Sequence, residues 1–289
     1  MPPKTQLVVV DSSYLAWRAF HTTGMLRNAD QPTGVLYGFF VTVRTLAAQL
    51  RTTYFAFCFD GGKGQREQMY PEYKKARRDR VLTPTEEEAF KQFRIQVNRL
   101  EKELLPAVGF RNVYKQVGYE ADDLVARCVE DLPFDQFTVV SGDADLYQLL
   151  SKERDVTIWD PVKKVMRTET WFRETYGIAP YQWPWVKACA GCSSDGIKGV
   201  KGVGEKGALA YLTKQIDPQS AKFKLIASNL SVIQDNLRLT QLPLQGCNSL
   251  VWEEDELDHA KWEKVAKSLG FRSVPKLFDN PGFGLGVKR

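Results

Sequence analysis

Histidine is almost absent from this sequence: His21 and His259 are the only two in 289 residues. That is too few for a site built on several imidazoles, the usual zinc arrangement. Cysteine is sparse and odd in number, at Cys58, Cys128, Cys189, Cys192 and Cys247. A chain of this length buries a core without disulfide staples, so a reducing compartment is expected. Cys189 and Cys192 form a CxxC pair, but it lies in an apolar, helix-like stretch with no second Cys or His pair nearby, and no zinc or redox role is expected of it. No apolar run approaches the roughly 18 residues of a membrane span. Residues Met1 to Gln6 lead directly into a strand-like run too short for a signal peptide, so a cytoplasmic protein with no membrane partner is expected. Repeats and low-complexity tracts are missing too. Charge of either sign is not dominant: the net +5 and pI near 8.8 are compatible with a polyanionic partner without requiring one.

What the chain does have is apolar runs that end in aspartate. Leu7–Asp11, Phe55–Asp60 and the run from Phe137 that ends in Gly142-Asp143-Ala144-Asp145 each read as a buried strand followed by a turn. Helix-period segments separate them, at Gly34–Leu50, Thr85–Val108 and Ala121–Leu132. Strand and helix in alternation predict an α/β fold with a mostly parallel central sheet and helices on both faces. Ligands of such sheets sit beyond the carboxyl ends of the strands, where these aspartates fall. Glu120, Asp122 and Asp123 open a further helix. Alone they would be ordinary N-terminal acids that offset the helix dipole.

Together, Asp11, Asp60, Glu120, Asp122, Asp123, Asp143 and Asp145 are expected to converge on one rim, where their repulsion calls for compensating cations. Oxygen-only ligands favour Mg²⁺ or Mn²⁺. Two such ions about 3.5–4 Å apart would clamp a phosphodiester, activate a water and stabilise the leaving oxygen. Directly after Asp60 come Lys63, Arg66, Tyr70, Tyr73, Lys74, Lys75, Arg77, Arg78 and Arg80, cations interleaved with aromatics that suit phosphate contacts and base stacking. Farther on, Gly199-Val200-Lys201-Gly202-Val203-Gly204-Glu205-Lys206-Gly207 precedes an apolar helix. Such glycines expose backbone N–H groups to a phosphate oxygen.

These pieces, VVVDSSYLAWRAF, GVLYGFF, FDGGKGQREQMYPEYKKAR, VGYEADDLVA, SGDADLYQLL and IKGVKGVGEKGA, stand in an order and spacing that resembles the 5′-nuclease (flap endonuclease) family. The resemblance implies a PIN-like 5′-nuclease fold with a helical arch and a helical region carrying a helix-hairpin-helix-type motif. It implies a catalytic region over 1–165 with an arch near 66–100, a helical DNA-binding region over 166–273 with the motif near 191–212, and a loose tail over 274–289. It also implies that the seven acids are metal ligands and that Asp195 is an eighth. Lys74 and Arg77 are expected at the scissile phosphate, in one catalytic set with Asp143 and Asp145. Tyr14, Arg18, Arg66, Lys201, Gly202, Gly204 and Lys206 are expected to contact DNA, with a K⁺ ion on main-chain carbonyls of the glycine-rich motif. A monomer acting on 5′ flaps, branched DNA or duplex ends by flap endonuclease and 5′→3′ exonuclease cleavage follows.

One departure stands out. Where the family usually carries G-D-x-x-D-N, this chain reads Gly191-Cys192-Ser193-Ser194-Asp195-Gly196. A thiol is a poor Mg²⁺ ligand, so a weakened second metal site is expected. A branched-DNA-binding protein with little hydrolysis is the alternative in a different class, and a PIN-like ribonuclease is a third.

Overall fold

The computed structural model describes residues 5–272; the tail expected over 274–289 lies outside them. The chain opens with β1 (Gln6–Asp11) and α1 (Ser12–Thr23), a short hairpin β2 (Arg27–Asn28) and β3 (Gln31–Pro32), then α2 (Gly34–Leu50) and β4 (Phe55–Phe59). A long excursion follows through α3 (Gly64–Met69), α4 (Lys75–Arg78), α5 (Pro84–Arg99), a π-helical turn at Leu100–Leu104 and α6 (Leu105–Val108). The chain returns at β5 (Val113–Lys115), α7 (Ala121–Asp131), β6 (Gln136–Val140), a 3₁₀ turn at Ala144–Leu149, and the hairpin β7 (Val156–Asp160) and β8 (Val165–Arg167). Beyond the sheet lie α8 (Glu169–Tyr176), α9 (Trp183–Ala190), the two-residue strands β9 (Gly191–Cys192) and β10 (Ile197–Lys198), α10 (Glu205–Leu212), α11 (Ala221–Ser228), α12 (Leu230–Thr240) and α13 (His259–Ser268). Among the described residues no helix is long and apolar enough to cross a membrane.

The six-stranded sheet has the order β5-β4-β1-β6-β7-β8 and is parallel except for the β7–β8 pair. The central strand β1 pairs with β4 on one side, Asp11 opposite Cys58, and with β6 on the other, Val10 opposite Val140. That register brings the carboxyl ends of the three aspartate-bearing strands to one edge. The chain reverses its direction of strand addition there, so the loops diverge and leave a crevice.

Period-two side-chain alternation explains the two cores. Val8 and Val10 of β1, with Phe55, Phe57 and Phe59 of β4, face α1, α2, α6 and α13; Leu7 and Val9, with Ala56 and Cys58, face α7. On that second face β4 presents only Ala56 and Cys58, small side chains that let α7 pack close to the strand. The helix expected over Thr85–Val108 is a broken one. It starts at Pro84 behind a Thr83–Glu86 capping box, and at Leu100 the π turn shifts the register so that Leu100, Leu104 and Leu105 enter the core. The outer part, α5, is pinned to α1 by ring contacts: Trp17 stacks on Phe90 at 5.6 Å and meets Phe93 edge-on at 5.4 Å.

Candidate metal and nucleic-acid site

Local hydrogen bonds set each carboxylate of the rim. Asp11 ends β1 and caps α1 by accepting from Tyr14 N at 2.9 Å, and its second oxygen accepts from Ser141 Oγ at 3.0 Å. The Ser141 hydroxyl in turn accepts from Asp143 N at 3.2 Å, and Asp143 Oδ1 accepts from Asp145 N at 2.8 Å. Asp60 accepts from Ala121 N at 2.8 Å, which ties the end of β4 to the start of α7. Gly142 leaves room for Tyr14, because a Cβ there would lie 2.2 Å from the Tyr14 hydroxyl and push that ring aside. The outcome is a cavity of about 950 Å³ lined by Asp11, Asp60, Glu120, Asp122 and Asp143. Its walls carry Lys74, Arg77 and Arg80 from the segment around α4, Arg94 and Phe93 from α5, and Tyr14 and Trp17 from α1.

Asp145 and Asp195 form a second group. With Cys192 they present ligand-type atoms that all lie within 4.8 Å of one another. Cys192 Sγ sits 3.0 Å from Ser194 Oγ and 3.5 Å from Asp195 Oδ2. Lys187 stands beside them, its Nζ 3.2 Å from Asp145 and 3.7 Å from Glu205, with only 14% of its side chain exposed. Sequence reasoning missed Lys187. Its signal was a lone cation inside the otherwise apolar helix Trp183–Ala190.

Two expected site residues are brought elsewhere. Asp123 does not face the cavity: it is fully buried, and both its oxygens accept from the Arg66 guanidinium, at 2.6 and 2.8 Å. It also accepts from Glu120 N and Leu244 N, at 3.0 and 2.9 Å, which fills its acceptor capacity. Arg66, expected to touch DNA, is 3% exposed and donates its Nε to Leu239 O at 3.1 Å. Burial works against its charge, but the hydrogen bonds and charge of Asp123 outweigh that and raise its pKa. The physical reason for both corrections is geometric. Successive helix positions are about 100° apart, which turns Asp123 away from the cavity that Asp122 lines, and Arg66 is buried with it as its partner. The pair joins α3, the start of α7 and the end of α12.

The other cations behave differently. Arg77 is largely exposed and reaches Asp195 at 3.6 Å, whereas the Lys74 ammonium lies 2.6 Å from Glu120. Tyr14 and Arg18 line a smaller cavity of about 350 Å³ with Trp17 and His21, adjoining the acidic one. Lys201, Gly202, Gly204 and Lys206 are exposed around the N-terminus of α10. Gly204 is its N-cap, with no side-chain cap to the free N–H groups, and Gly202 holds φ +85°.

The oxygen-rich donor set fits hard divalent cations, which would relieve the repulsion among its buried carboxylates. Burial, and then the Asp60 charge, raise the Asp11 pKa to about 7. Burial, then Asp143 and Asp11, push Asp122 well above its ordinary range. Burial and Asp143 raise Asp145 to about 6, against the pull of Lys187. Because folded Asp11 holds its proton more tightly than the unfolded chain, stability without divalent ions should fall as pH rises from the ordinary 3.8 to about 7. Millimolar Mg²⁺ should flatten or reverse that slope. Melting temperatures in EDTA and in Mg²⁺ between pH 5 and 8 check this; parallel curves would contradict it.

Comparison with known proteins agrees with this geometry. Residues 6–177 match the family model described as 5′-3′ exonuclease, N-terminal resolvase-like domain. DNA polymerase I of Chloroflexus aurantiacus is 34% identical over 217 residues, 71% of this chain and 22% of that protein. DNA polymerase I of Mycobacterium tuberculosis is 33% identical over 302 residues, 96% of this chain and 32% of that protein. The chain thus spans about a third or less of the length of these relatives. Among solved structures, T5 5′-exonuclease with bound zinc superposes with a TM-score of 0.69 at 22% identity, over 83% of this chain and 90% of that one, which establishes a shared fold. With the family model covering more than half of its length, this chain belongs to the 5′-3′ exonuclease family.

Proposed function

We propose that the protein is a structure-selective 5′ nuclease, a flap endonuclease and 5′→3′ exonuclease, that hydrolyses DNA phosphodiester bonds with Mg²⁺ or Mn²⁺. The observation that carries this reading is one cavity that gathers Asp11, Asp60, Glu120, Asp122 and Asp143 beside the cations Lys74, Arg77, Arg80 and Arg94, its sixth carboxylate, Glu101, being paired with Lys115. No sequence-reading side chain need enter such a cavity. The cations match a phosphate backbone, so selection by the shape of the DNA follows.

Divalent ions held by Asp11, Asp60, Glu120, Asp122 and Asp143, and by Asp145 with Asp195, would supply Lewis acidity and an activated water. Arg77 and Lys74 would neutralise charge that grows on the phosphoryl oxygens in the transition state. Tyr14 and Arg18, beside the acidic cavity, suit the nucleotides next to the cut. Free N–H groups at Gly204, with Lys201, Gly202 and Lys206, suit the phosphates of the uncut duplex, and carbonyls of that turn suit a K⁺ ion. A catalytic region over 1–165 and a duplex-holding region over 166–273 describe this division of labour.

Cys192 stands where a carboxylate would serve the second ion better. The Cys192→Asp protein should reach half-maximal rate at a Mg²⁺ concentration about tenfold lower, with a smaller change in Mn²⁺. Coinciding Mg²⁺ activation curves would sink this role for Cys192. The reading as a whole is tested by offering DNA and RNA versions of one flap with Mg²⁺ and, separately, in EDTA. Metal-dependent cleavage of DNA with binding retained in EDTA supports it; preference for RNA favours a ribonuclease.

A further inference from the structure

The Lys74 ammonium lies 2.6 Å from Glu120 and 3.7 Å from Asp195, so one side chain of the arch bridges carboxylates on both sides of the site. Its backbone is committed to the same place: Lys74 N donates to Asp195 O at 2.7 Å, and the residue takes a left-handed φ of +51°, uncommon for a residue with a side chain. The other oxygen of Glu120 accepts from the Tyr73 hydroxyl at 2.6 Å. Residues 73 and 74 therefore occupy both oxygens of an acid that the nuclease reading needs for a divalent ion. The Lys74 side chain is only 13% exposed, so in this state its charge is spent on carboxylates rather than offered to a phosphate.

On the basis of that metal-dependent reading, we propose that Lys74 is a latch: without divalent ions its ammonium stands in for them and holds the arch down, and cation entry releases it toward the substrate. The driving force is competition for Glu120 and Asp195 between one charge on a flexible stem and a doubly charged ion, followed by repulsion between the ion and the displaced ammonium. Arg77, which meets Asp195 at 3.6 Å, moves with it. The device couples the arrival of the metal to the delivery of the two arch cations. An ordinary structural ion pair would do the opposite and stay closed whether or not metal is bound.

Limited trypsin digestion of the full chain, read by mass spectrometry at Arg77 and Arg80, separates the two. Saturating Mg²⁺ without DNA should speed cleavage there about tenfold over the rate in EDTA, since cutting follows the population of the open form. Lys74→Gln should be cut at the fast rate in EDTA and respond little to Mg²⁺, while cleavage at Lys261 in α13 serves as the internal reference. Mg²⁺ that slows cleavage at Arg77 and Arg80 or leaves it unchanged, or a Lys74→Gln protein that responds as the parent does, overturns the latch. Calorimetric titration with Mg²⁺ on the same sample keeps the two ideas apart. Binding without arch release defeats the latch alone; absence of binding defeats the nuclease reading and the latch with it.

Discussion

Arg66→Ala should lower stability by about 3–5 kcal/mol, the range for removing one partner of a buried ion pair. The loss is large because Asp123 would remain fully buried with its charge uncompensated, and Leu239 O would lose its donor. Arg66→Lys keeps the charge but not the planar fork that makes two bonds to Asp123 and one to Leu239, so its defect should be smaller but still measurable. Arg66→Met combined with Asp123→Leu removes both charges and should recover part of the loss, limited by the N–H groups of Glu120 and Leu244 that Asp123 now satisfies. Urea unfolding with an unchanged m-value reads these differences directly. If Arg66 were instead a DNA contact, Arg66→Ala would leave the unfolding midpoint in place and weaken DNA binding.

The second large effect is on rate. Changing outer partners of metal ligands costs about 10–100-fold, so Asp143→Asn, which strikes a cavity carboxylate itself, should slow cleavage by more than about 100-fold. The fold should survive. Asp143 caps the 3₁₀ turn by accepting from Asp145 N with one oxygen, and an asparagine carbonyl can accept the same bond. Flap DNA binding in EDTA should therefore match the parent, and single-turnover rates in Mg²⁺ should carry nearly the whole defect. A protein that loses binding and rate together would point to collapse of the turn.

The parallel core of the sheet was legible because its strands are buried on both faces and so read as unbroken apolar runs, Leu7–Val10 and Phe55–Phe59 above all. The β7–β8 hairpin was not. Val156–Asp160 alternates buried and half-buried residues and lies among lysines and arginines, so neither length nor hydrophobicity marked it. The acidic rim was legible from aspartates at strand ends, but the Glu120–Asp123 cluster was read as a block. Helical period alone separates Asp122 from Asp123, whereas the partner of Asp123 could not be foreseen. Arg66 is one of many cations between Asp60 and Arg80, and nothing in that run marks it as the buried one; its fate depends on Leu239, 173 residues away. Resemblance alone places Lys74 at the substrate, while its contact with Glu120 arises from the fold bringing two distant loops together.

Product sizing on 5′- and 3′-labelled flap DNA, in Mg²⁺, Mn²⁺ and EDTA, tests the central claim most directly. Cuts near the flap junction in either metal, with none in EDTA, are the predicted result. Tight flap binding with no cleavage under either metal would contradict it and leave a branched-DNA-binding protein in its place.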